Sequence, residues 1–169
     1  KDIYRQEDAI GGYAYLMLLG HECFGEPGWL EEAEEALARY LAYEANPWYE
    51  VPCGAMAVAA AARLAARGRT VDTHRALDFV LDADAGLVAG EWGGREVNGL
   101  YRGWRHSTPE SAYSLETLVA LPFLLPAARS VPDVAPRIAA YVLHTAANAR
   151  LFYSAYTRGN ESRADLSPD

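Results

Sequence analysis

Gly54-Ala55-Met56-Ala57-Val58-Ala59-Ala60-Ala61-Ala62-Arg63-Leu64-Ala65-Ala66-Arg67 runs for nine residues before its first charge and holds no turn former after Gly54. A helix that is apolar on every side is buried on most of them, and a surface of alanines lets neighbouring helices approach closely. Gly68 supplies a natural stop. The segment is therefore expected to be a central helix of an all-helical core. It is too short to cross a bilayer, and no apolar run in the chain reaches the ~18 residues a span requires.

On its N-terminal side, residues 29–44 place Leu30, Ala33, Leu37, Tyr40 and Leu41 on one stripe, with Glu31, Glu32, Glu34, Glu35 and Arg39 largely elsewhere. Pro27 and Gly28 punctuate the start of this helix, its glutamates suit the positive end of the helix dipole, and Asn46-Pro47 ends it. An earlier helix over 6–24 carries Ile10, Tyr13, Leu16, Met17 and Cys23 or Phe24 as its apolar set. On the C-terminal side, Asp72 is expected to cap a fourth helix with Leu77, Val80 and Leu81 facing inward. Residues 83–107 form a glycine-rich tract without a helical stripe. Thr108 and Pro109 then predict the start of a fifth helix carrying Tyr113, Leu115, Leu118, Leu121 and Leu125, which Pro122 kinks or ends. A sixth helix follows Asp133, with Val134, Ile138, Tyr141, Val142 and Thr145 on one face and Pro136 harmlessly in the first turn.

Buried and amphipathic helices alternate, as stacked helical hairpins with an inner and an outer layer require, at about 50 residues per pair. The 169 residues, 51% of them hydrophobic, suit one domain able to bury a core. It is assigned to 1–157, with 158–169 as a polar, flexible tail. The chain starts at Lys1 with no signal-like apolar stretch behind it, as a processed product or an excised piece would. A net charge of −8 with scattered Lys and Arg gives no electrostatic footprint for nucleic acid. Cys23 and Cys53 can pair only if the fold brings them together, which spacing leaves open.

Three places carry a resemblance: Asn46-Pro47-Trp48-Tyr49-Glu50-Val51, Gly90-Glu91-Trp92-Gly93-Gly94 and Ala147-Asn148-Ala149-Arg150-Leu151-Phe152-Tyr153. Between about Tyr13 and Tyr153 the chain resembles the α/α-toroid, or six-hairpin glycosidase-like, superfamily of bacterial carbohydrate-active proteins. The resemblance implies an inner ring of helices whose loops bind sugar at one end, an extracellular or periplasmic setting, and no cofactor. A closed ring needs about twelve helices. With six, the chain is read as about half of an (α/α)6 toroid, whose exposed inner face favours self-association or a missing second half.

The connections after the second and fourth helices both lead from an even helix to an odd one, and so emerge at the same end of a hairpin array. They gather Trp48, Tyr49, Glu50, Trp92, Asn98, Tyr101, Trp104, His106 and Glu110 at one rim. Indole and phenol faces stack on the C–H faces of pyranose rings while amides and carboxylates take the hydroxyls, so the expected ligand is an oligo- or polysaccharide. The same tryptophans would equally serve to staple long loops to helix ends. Glu50, Glu110 and Glu116 are the candidate catalytic acids of a hydrolase, which commonly sets two carboxyls about the scissile bond. Glu116 is expected on a helix face with Tyr113 and Ala120; Glu110 in a first turn also has a dipole reason to be acidic. A lyase would use His106 or Tyr113 as base, with Arg102, Arg105 or Asn98 neutralising a uronate carboxylate. No acid pair has a spacing that demands catalysis, so a non-catalytic repeat module binding a glycan or a protein stands as the alternative.

His21, Glu22 and Cys23 are adjacent on a helix and diverge, which is unsuited to a metal. Asp82 and Asp84 lack calcium-loop spacing. Gly93-Gly94 lacks the lysine of a phosphate loop, and Ser107, Ser111 and Ser114 lack a nucleophile elbow. The acid-rich signature of isoprenoid-handling toroids is missing.

Overall fold

The computed structural model describes residues 6–47, 51–81, 91–92, 95–96, 101–102, 112–113 and 118–149. The long helices there are α1 (Ala9–Phe24), α2 (Pro27–Leu41), α3 (Val51–Ala66), α4 (Thr73–Val80), α5 (Leu121–Ser130) and α6 (Ala135–Ala149), with a 3₁₀ turn at Pro132–Val134. Helix predominates, and the helices stack. Helix α3 packs against α1, α4 and α5; α2 covers α1, and α6 covers α5. Thus α1, α3 and α5 form one layer and α2, α4 and α6 the other.

The alanine run explains α3's place. Ala55, Ala57, Val58, Ala60, Ala61 and Leu64 have no exposed surface, because their small side chains admit a helix on several sides at once. Gly68, at φ 78°, ends the segment in the left-handed conformation that glycine tolerates. The Asp72 side chain accepts a hydrogen bond from the Arg75 backbone N–H at 2.9 Å, capping α4. Leu77 and Val80 are buried beneath it.

Two expectations change. The core face of α1 is Gly11, Gly12, Ala14 and Leu18, whereas Tyr13, Leu16 and Phe24 are exposed. The helix is apolar nearly all round, so hydropathy could not choose its buried side. Close approach chose it: a Cβ on Gly11 would stand 2.9 Å from Ala57 Cβ and 3.0 Å from the Cys53 carbonyl.

The second change concerns the helix expected from Thr108. Tyr113 lies in an antiparallel ladder, and α5 starts at Leu121 with Pro122 in its first turn, where a missing N–H costs nothing. Its buried residues are Leu124 and Ala127, and Leu125 is exposed. A continuous helix through Pro122 would have lost a backbone hydrogen bond and crowded the preceding turn. Within the glycine-rich tract, β1 (Glu91–Trp92) pairs with β2 (Arg95–Glu96), and β3 (Tyr101–Arg102) pairs with β4 (Ala112–Tyr113). Cys23 and Cys53 form no disulfide with each other, and Cys23 is exposed.

Candidate functional site

The α2–α3 connection and the departure of the tract after α4 meet at one end of the array. Asn46 Nδ2 donates to the Phe79 carbonyl at 2.7 Å, in the last turn of α4. Arg75 reinforces the junction from α4: Nη2 donates to the Tyr43 carbonyl at 2.6 Å and Nε to that of Leu41 at 3.3 Å. Its guanidinium lies 4.7 Å from the Phe79 ring centroid, and Phe79 meets Tyr40 edge-on at 5.5 Å. Free carbonyls at the end of a helix need donors, and a guanidinium satisfies several at once.

Directly beneath lies a buried polar group. Asp8, before α1, and Tyr40, in the last turn of α2, are each 1% exposed. Burial raises the Tyr40 phenol above its ordinary pKa, and negative charge on Asp8 and Cys53 adds to the effect. Gly54 leaves room for this packing, since a Cβ there would lie 3.2 Å from Val80 and 3.4 Å from the Tyr40 hydroxyl. Burial likewise raises Tyr141, with Thr145 opposing.

A phenol held protonated in the fold stabilises it fully below its unfolded pKa, near ~10, and that stability is lost as pH rises further. The contribution of these two phenols should therefore be constant from pH 7 to 9 and fall above about pH 10. Tyr40→Phe with Tyr141→Phe should flatten that decline in urea titrations; an unchanged alkaline slope would remove these phenols from the explanation.

Trp48, Tyr49, Glu50, Asn98, Trp104, His106, Glu110 and Glu116 lie outside the described residues. Trp92 and Tyr113 fall on the ladders, opposite Arg95 and Tyr101 respectively. The helix face expected to join Tyr113 to Glu116 and Ala120 is not formed at Tyr113, which is in β4. The β3–β4 pairing sets Arg102 opposite Ala112.

Sequence reasoning missed a groove of about 310 Å³ across α3, walled by α1 and α5. Tyr15 and Phe123 meet edge-on across it at 5.4 Å, and the Arg63 guanidinium lies 5.6 Å from the Tyr15 ring centroid. Glu22 binds both Arg63 and Arg67, the latter at 2.8 Å. Two arginines four residues apart, closing an otherwise uncharged helix, were the available signal. A second cleft of about 340 Å³ lies between α2 and the α3–α4 connection, where Arg69 meets Glu34 at 2.7 Å. Among the described residues, no group of three His, Cys, Asp or Glu is placed to hold a metal ion, and no helix is long and apolar enough to cross a membrane.

Comparison with known proteins finds no significant similarity to any family model, curated protein or solved structure.

Proposed function

We propose that this helical-hairpin domain is carbohydrate-active, of glycoside hydrolase or polysaccharide lyase type, and that its array represents about half of an (α/α)6 toroid. The observation that carries the reading is the Asn46–Phe79 hydrogen bond. It ties the connection leading to Trp48, Tyr49 and Glu50 to the point where the tract bearing Trp92, Asn98, Trp104, His106 and Glu110 departs. Aromatic faces and acids drawn from two connections suit a sugar cleft: rings stack on pyranose faces, and carboxyls act on the glycosidic bond. The resemblance of residues 46–51 to the toroid superfamily adds to this reading.

The groove across α3 favours a second reading, a non-catalytic module binding a glycan on its inner helices. Aromatic edges and ion-paired arginines can hold a sugar without performing chemistry.

Oligosaccharide titrations of wild type, Trp48→Ala, Trp92→Ala, Tyr15→Ala and Glu116→Gln separate the readings. Each tryptophan variant should lose roughly 1–3 kcal/mol of binding, the worth of burying a large aromatic face. Glu116→Gln should keep affinity and lose turnover, because its effect falls on the transition state. Binding lost in the tryptophan variants with no turnover in any form would select the binding module at the loop end. Binding lost only in Tyr15→Ala would move it to the groove. No oligosaccharide affinity at all would end the sugar reading.

A further inference from the structure

The inner layer ends on an exposed apolar face at both sides. On α1, Ala9, Tyr13, Leu16 and Cys23 recur at helical spacing and are exposed, Leu16 at 55%. On α5 and the residues just before it, Leu118, Pro122, Leu125 and Arg129 do the same, Leu125 at 44%. Each face lies away from the core, where another hairpin would stack.

Charge indicates what covers them. Residues 6–47 contain nine Asp and Glu against one Arg, and six acids remain once the buried Asp8 and the pairs of Glu22 with Arg63 and Arg67 and of Glu34 with Arg69 are set aside; residues 118–149 contain one Asp against two Arg, of which Arg137 pairs with Asp78. Two α1–α2 hairpins brought together would set two strongly acidic surfaces against each other. An α1–α2 hairpin against an α5–α6 hairpin would not. The details agree: Tyr13 donates to Glu32 at the acidic face, and Arg129 stands one turn beyond Leu125 on the other.

We propose that a second copy of this chain docks its α5 face on the α1 face, so that the helix layers of two copies continue head to tail. Such a heterologous contact uses a different patch on each partner and either closes into a ring or extends. Apolar side chains at the centre supply the driving force, and unlike charge at the edges sets the polarity.

The experiment is sedimentation of the whole chain, of Leu16→Glu, of Leu125→Glu, and of the two variants mixed in equal amounts. Both substituted side chains are exposed, and far-ultraviolet spectra confirm that the folds are kept. Wild type should associate with rising concentration, less so in high salt. Each single variant should associate roughly tenfold or more weakly, the scale of losing a central interface anchor. The mixture should regain a species of two chains and no more, since Leu16→Glu retains a sound α5 face and Leu125→Glu a sound α1 face. Monomeric wild type at high concentration overturns the proposal. So does a mixture that stays monomeric, or one single variant that associates like wild type, which would mean like faces pair.

Discussion

Val58→Asp should abolish the cooperative unfolding transition of the domain. Val58 has no exposed surface and stands midway along α3, with helices of both layers around it. A carboxylate introduced there would sit in a cluster of buried apolar side chains. An unpaired buried charge costs about 3–5 kcal/mol, and total stability in domains of this size is on the order of 5–15 kcal/mol. The lost valine packing adds to that. Leu37→Asp, at 1% exposure on α2, tests the same core from the other layer. Thermal melts followed by circular dichroism decide the matter. If both variants melt as wild type does, the inner faces assigned here are wrong.

Gly11→Leu should be nearly as damaging through crowding alone. Even the first added carbon would press on Ala57 Cβ, on the Cys53 carbonyl and, at 3.2 Å, on the Tyr40 ring. The Cys53 carbonyl belongs to the backbone of α3, so relief requires α1 and α3 to separate. Overpacking of this kind costs typically ~1–3 kcal/mol, and a separation that also opens the Tyr40 pocket puts the expected loss at or above that range. Gly28→Ala is the control. It lies on α2 with nothing within 4 Å of the added carbon. There the gain in helix propensity should stabilise by up to ~1 kcal/mol. Urea midpoints that fall equally for both glycines would show that helix approach is not what Gly11 serves.

These two positions also mark how far the sequence could be read. Val58 was legible because an uncharged helix has few places to go except the centre. Leu37 and Tyr40 were legible because Glu31, Glu32, Glu34 and Glu35 leave only one apolar side. Asp72 and Gly68 announced their termini by backbone chemistry alone. Helix α1 was a different case. With no charge before Glu22, its sequence names no solvent side, and only the fit of Gly11 against Ala57 selects one. The break before α5 turned on Pro122, which fits the first turn of a helix as well as it kinks the middle of one. Gly93-Gly94 between Trp92 and Arg95 is the kind of pair that closes a two-residue hairpin, a signal masked by the absence of alternating residues around it. Of the candidate site, the convergence of the two connections followed from hairpin parity, and the Asn46–Phe79 bond accords with it. The groove over α3 was not legible, because Tyr15, Arg63 and Phe123 meet from three separate helices.

The anchoring of both connections at one end has a bearing on how such a chain can change. The tract after α4 leaves the array at the end where Asn46 is bonded to the Phe79 carbonyl. Doubling the length of a flexible loop costs only about 0.6 kcal/mol in closure entropy. In closure entropy alone, a longer or shorter tract between residues 82 and 117 therefore changes the stability of the helices little. Arg75 and Asn46 hold the anchor points while the intervening text is rewritten. The scaffold and the tract can then evolve at separate rates, the first constrained to the ångström by Gly11 and the alanines of α3.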